Sequence, residues 1–124
     1  MGMRRFVVPV TTAADGTASV FSPFLSGKVM HVTYVKNNYT DGVDFTLTTE
    51  ATGQTVWSQL NVNASVTVYP RVATVTTAGV AALYAAGGTA VNDRIAIGRD
   101  RINIALAQGG NATTGVFHIL IEED

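Results

Sequence analysis

Val43-Asp44-Phe45-Thr46-Leu47-Thr48-Thr49-Glu50 is the stretch that decides how the rest of the chain is read. Apolar and polar side chains alternate there with a period of two. A strand sends successive side chains to opposite faces, so Val43, Phe45 and Leu47 can enter a core while Asp44, Thr46 and Thr48 meet water. Comparable patterns recur on both sides of it. Upstream, Lys28 to Lys36 reads as a strand with Met30, Val32 and Tyr34 on one face and Val29, His31, Thr33 and Val35 on the other. Apolar residues on both faces place that strand centrally or under cover on each side. Arg4 to Thr12 reads as a first strand. Pro9 removes a backbone donor from it, which suits a sheet edge or a bulge, so residues 1–12 form an edge strand or an extended arm. The turn Ala14-Asp15-Gly16 then leads into a strand from Thr17 to Phe21.

Downstream, Thr55 to Val62 reads as a strand with Val56, Leu60 and Val62 opposing Thr55, Trp57 and Gln59. Ser65 to Tyr69, Ile95 to Ile97, Arg101 to Ala107 and Thr113 to Ile121 complete the set. Between them, Arg71 to Thr89 has two readings. Ala78 to Ala86 suits a short helix by composition, whereas Gly79 and the flanking threonines suit a long connection lying over a neighbouring surface. Seven or eight short strands separated by turn signals give an all-β fold: a small antiparallel sandwich, jelly-roll-like, with at most one short helix. An immunoglobulin-type sandwich is the alternative, although its cysteine pair is missing. The 124 residues suit one domain, expected over 1–124.

Composition narrows the function. Apolar residues make up 47% and charged residues 14%, low against the roughly 25% charged of ordinary soluble domains. A lightly charged surface suits a protein that works packed against others. The net charge of −1 opposes a nucleic-acid module, which needs clustered cations to displace counterions. The basic groups Arg4-Arg5 and Arg94, Arg99, Arg101 are small, and Asp93 and Asp100 offset the second. With no cysteine there is no disulfide or thiolate chemistry. Phe6-Val7-Val8-Pro9-Val10 is shorter than the apolar region of a signal peptide, and no apolar run reaches the ~20 residues of a membrane span. The expectation is a soluble protein with no membrane partner.

The residues offer little for catalysis or metal binding. The only general bases of triad type are His31 and His118, both inside strands and flanked by apolar residues, and they read as structural or interface histidines. Neither sits in an HxH or HExxH spacing. Ser26-Gly27-Lys28-Val29 lacks the rest of a phosphate loop, and Gly87-Gly88-Thr89 and Gly109-Gly110-Asn111 read as turns. Tyr39 and Tyr84, near loops, are the exposed aromatics that would serve a sugar-stacking platform. Trp57 reads as a packing residue. No catalytic residue, metal site or cofactor is expected.

Several segments carry a resemblance. They are Asp41-Gly42-Val43-Asp44-Phe45-Thr46, Glu50-Ala51-Thr52-Gly53, Tyr69-Pro70-Arg71, Ala82-Leu83-Tyr84-Ala85-Ala86-Gly87-Gly88-Thr89, Ala107-Gln108-Gly109-Gly110-Asn111 and Gly115-Val116-Phe117-His118. Together they are similar to small proteins from the head-gene region of tailed bacteriophages, and over roughly residues 4–121 the chain resembles capsid cement, or decoration, proteins. The resemblance implies a jelly-roll-like fold on the outer capsid surface of the virion, made in the host cytoplasm and touching the major capsid protein. A homo-oligomer, dimer or trimer, is the matching expectation. By exposure, the contact candidates are Arg4, Arg5 and Phe6 near the N-terminus, Tyr84 in the long connection, and Tyr39 in the Asn37–Asp41 loop. A tail-tube, head-completion or fibre-tip module is the second reading, and a carbohydrate-binding sandwich the third.

Overall fold

A computed structural model of the protein describes residues 2–123 apart from 79, 81, 84, 87 and 90. The described residues form ten strands and no helix: β1 (Gly2–Thr11), β2 (Ala18–Phe21), β3 (Leu25–Lys36), β4 (Val43–Thr49), β5 (Thr55–Val62), β6 (Val66–Val68), β7 (Arg71–Ala73), β8 (Asn92–Asp100), β9 (Ile102–Ala107) and β10 (Thr114–Glu123). Every pairing is antiparallel. One sheet runs β1-β10-β3-β8-β7, with β6 also on β3; the other runs β2-β9-β4-β5. The pairs nest: β4 with β5, β3 with β8, β2 with β9, β1 with β10. That is one long antiparallel ribbon rolled over itself, the jelly roll the turn spacing predicts.

The alternation of the opening stretch is reproduced. Val43, Phe45 and Leu47 are fully buried, and Tyr34 and Phe117 from the facing sheet meet Phe45 at ring-centroid distances of 4.7 and 5.0 Å. Val8, Val10, Val29, Val32, Ile119 and Ile121 line the six-stranded side; Trp57, Val62, Ile102, Ile104 and Leu106 line the other. Both sheets feed one continuous cluster.

Two strands depart from simple alternation, and bulges are the reason. On β3, Leu120 pairs with His31 but Ile121 pairs with Val29, so Met30 is the extra residue. The bulge turns Val29 into the core beside Val32 and Tyr34, and Met30 leaves the face on which alternation put it. On β5, Leu47 pairs with Trp57 but Thr48 with Thr55, and Phe45 pairs with Gln59 but Val43 with Val62. Asn61 takes a left-handed φ of 56° at the second irregularity. Val56, Trp57 and Val62 are consequently all buried, whereas Leu60, expected inside, is 71% exposed.

The described residues of 78–86 form no helix. Ala82 N–H donates to the Thr74 carbonyl (2.7 Å), Thr76 N–H to Val80 (2.8 Å) and Val91 N–H to Ala82 (2.9 Å). These bonds fold the segment back along itself, and Val75, Val80 and Leu83 stay exposed.

Candidate binding surface

β1 lies at one edge of the six-stranded sheet and pairs with β10 along its whole length, Gly2 opposite Glu123 through Thr11 opposite Thr114. Its inward side chains are Phe6, Val8 and Val10; its outward ones are Met3, Arg5, Val7 and Pro9. The registers extend those outward residues into rows across the sheet. Arg5 is followed by Leu120 and His31; Val7 by His118, Thr33 and Thr67; Pro9 by Val116 and Val35. Met3 and Val7 are 55% and 52% exposed, and Val35 is exposed beside them. Tyr69, 62% exposed, reaches the edge of the same face, its ring 5.6 Å from that of His31.

Charge collects at one end of this face. Arg94 holds Glu122 at 3.0 Å and its Nη1 lies 3.0 Å from the Met30 sulfur, while Arg71 donates to the Met30 carbonyl. The rows through Val7 and Pro9 carry only His118 as a titratable group. The outer face of the four-stranded sheet differs in kind. Its rows read Ser19-Ala105-Thr46-Ser58 and Phe21-Asn103-Thr48-Thr55. Apart from Phe21 on β2, 43% exposed, these rows are small and mostly polar, whereas the rows through Val7 and Pro9 are mostly apolar, so the two faces of the sandwich differ chemically.

A second cluster lies elsewhere. Arg101 grips Glu50 with two hydrogen bonds, Nε to Oε1 at 2.8 Å and Nη2 to Oε2 at 2.5 Å. Its guanidinium also sits 4.2 Å from the centre of the Phe21 ring and 5.3 Å from that of Phe24. The paired Arg101 holds the Glu50 carboxyl below its ordinary range. Asp100 is buried and accepts from the Ala51 and Arg101 amides, which fixes the neighbouring turn.

The contact residues expected from the sequence fall into different settings. Arg4 is exposed, 3.6 Å from Glu123 and 4.9 Å over the Phe6 ring. Arg5 is exposed and, among the described residues, makes no ion pair. Phe6 turns inward and packs on the core. Tyr84 lies outside the described residues.

Tyr39 requires a correction. It is 2% exposed, stacked on Tyr34 at 5.9 Å, and its hydroxyl donates to the Val10 carbonyl at 2.6 Å. Gly115 makes this possible, because a Cβ there would overlap the Tyr39 ring. Burial drives the phenol's pKa upward. Tyr39 therefore locks its loop to the sandwich and offers nothing to a glycan. The rest of that loop is also tied down: Asn37 donates to Thr114, Asn38 accepts from the Thr114 amide, and Lys36 pairs with Asp41 at 2.6 Å.

Both histidines lie half-buried on the outer face of the six-stranded sheet, diagonal neighbours across β3 and β10. Among the described residues no three His, Cys, Asp or Glu side chains gather as a metal site would need, and no pocket opens. The exposed apolar residues of this face that sequence reasoning did not single out are Met3, Val7, Val35 and Tyr69. The first two were available from the alternation of β1 itself, which sets Met3, Arg5 and Val7 against Arg4, Phe6 and Val8. Comparison with protein-family models, with curated proteins and with solved structures finds no match to this chain.

Proposed function

We propose that this protein is a structural virion component: a cement protein that binds the outer surface of a tailed-phage capsid and bridges major capsid protein subunits, acting as a homo-oligomer without catalysis. The observation that carries the reading is the inequality of the two sandwich faces. One presents Met3, Val7, Val116, Leu120 and Val35 in rows whose middle is lightly charged; the other, Phe21 apart, presents small and mostly polar side chains. A sheet face with exposed apolar rows suits lying against a large neighbour, and a specific contact needs on the order of 1,200–2,000 Å². The exposed Val75, Val80 and Leu83 of the long connection would extend that area. The segments similar to capsid cement proteins, from Asp41-Gly42 to Gly115-Val116-Phe117-His118, supply the partner.

Cementing follows mass action. A ligand specific for the assembled shell stabilises it by about 2.7 kcal/mol per site at a hundredfold excess over its Kd. Many such sites jointly oppose the pressure of packaged DNA. The test is to mix the purified protein with undecorated capsids and image them. Ordered density on the shell at micromolar protein supports the proposal; bare shells at that concentration overturn it. Rings or tubes formed by the isolated protein would favour a tail-tube or head-completion module instead.

A further inference from the structure

Among the described residues no strand pairs with the outer edge of β1, and that edge supports an inference about partner chemistry that does not depend on the capsid reading. Thr12 N–H donates to the Thr113 carbonyl at 2.8 Å, in register with the β1–β10 ladder. In an antiparallel pair the residues whose backbone groups face the partner alternate with those whose groups face away. The even-numbered residues of β1 thus bond to β10, and Met3, Arg5, Val7 and Thr11 aim their N–H and C=O groups away from the sheet. Pro9 agrees independently: a proline fits an edge strand where its missing N–H faces outward. The open ladder therefore runs from Met3 to Val7 and is closed off by Pro9.

An open edge of this kind recruits strands. The candidates are a second copy of β1 or a foreign segment, and charge separates them. A two-fold antiparallel pairing must set like-facing residues opposite each other. The register centred on Arg5 matches Met3 with Val7 and puts Arg5 against its own copy; shifting the centre by one residue puts Arg4 against its own copy. Shifting the other way sets Met3 against Pro9 and loses a hydrogen bond. The first two registers set like charges directly opposite, which is destabilising, and the third gives up a hydrogen bond at Pro9, so an oppositely charged foreign strand fits this edge better than a second copy does.

We propose that the Met3–Val7 edge is a strand-addition site for an extended acidic segment of a partner protein. Its central carboxylate lies opposite Arg5, and aliphatic residues two positions to either side lie opposite Met3 and Val7. Backbone pairing supplies affinity, and the Arg5–carboxylate match supplies choice.

The test uses the intact protein and the peptide acetyl-Thr-Val-Thr-Glu-Thr-Val-Thr-amide. NMR titration is expected to protect the Met3, Arg5 and Val7 amides from exchange while leaving Phe6 and Val8 unchanged. Replacing the peptide's Glu by Lys is expected to weaken binding about tenfold, and Arg5→Glu to reverse that order. A peptide N-methylated on the residues facing β1 keeps the protein native and is expected not to bind. Equal binding of the Glu and Lys peptides, protection confined to other residues, no binding at millimolar peptide, or dimerisation of the protein through β1 would each overturn the proposal.

Discussion

Tyr34 and Tyr39 stack on each other in the core, yet removing the hydroxyl from each is expected to change stability in opposite directions. The Tyr39 hydroxyl donates to the Val10 carbonyl at 2.6 Å. The Tyr34 hydroxyl is buried and, among the described residues, has no hydrogen-bond partner. A buried polar group left unpaired costs about 1–3 kcal/mol, and part of that is recovered when the oxygen is deleted. The small void left behind offsets some of the gain. Tyr34→Phe is therefore expected to stabilise the fold by about 1 kcal/mol and raise Tm on the order of 4 °C. Tyr39→Phe gives up a formed bond and is expected to cost about 1 kcal/mol. The two variants should then differ by about 2 kcal/mol, roughly a 30-fold change in the folding equilibrium, which urea melts resolve easily. A second readout is alkaline. Burial raises the Tyr34 phenol from 10.0 to about 12, so the fold carries no ionisation penalty from it below pH 10 and loses stability as pH rises toward 12, where the unfolded chain's phenol ionises first. Tyr34→Phe should flatten that decline. Equal destabilisation by both substitutions, or an unchanged alkaline slope, would refute the argument.

Other outcomes follow from the packing and the surface. Phe45→Ala removes the ring that meets Tyr34, Trp57 and Phe117, and should cost about 3–5 kcal/mol in urea unfolding. Glu50→Gln should lower Tm above pH 4.5, with the difference from the native protein vanishing as pH falls through the lowered Glu50 value, because the Arg101-held carboxylate is then protonated. Val35→Asp and Val7→Asp should weaken capsid binding in cosedimentation at least tenfold, whereas Thr46→Asp on the opposite face should leave it unchanged.

The fold class was legible because each core strand of the four-stranded sheet except β5 keeps strict alternation. Val43, Phe45, Leu47 and Ile102, Ile104, Leu106 announce both their conformation and their inward face. The faces of β3 and β5 were legible only in part: Val32, Tyr34, Val56 and Val62 turn inward as alternation groups them, but an inserted residue exchanges Val29 with Met30 on β3, and bulges bring Trp57 inside and leave Leu60 out on β5. Nothing local marks Met30 as an insertion; its partner strand β10 is far away in sequence. Tyr39 was misplaced for the same reason. Its loop composition reads as surface, and the gap that receives the ring is made by Gly115 on a strand that sequence alone does not bring opposite. The candidate surface was half legible: Arg4 and Arg5 drew notice as charges, while the outward row of Met3 and Val7 became visible only once β10 and β3 extended it.

The nesting of the strand pairs also dictates an order of assembly. Of the four nested pairs, β4 and β5 alone are joined directly by a short turn, in which Gly53 N–H bonds to the Thr49 carbonyl. Each closed pair brings the ends of the next closer, so the loop entropy of every outer pairing is reduced by the inner ones. Closure thus advances like a zip from that hairpin out to β1 and β10, and β3 keeps one flank bare until β10 has been synthesised. A chain in which β10 has not yet been made exposes an unmatched apolar edge on β3, so the arrival of β10 is the step that guards that edge against aggregation.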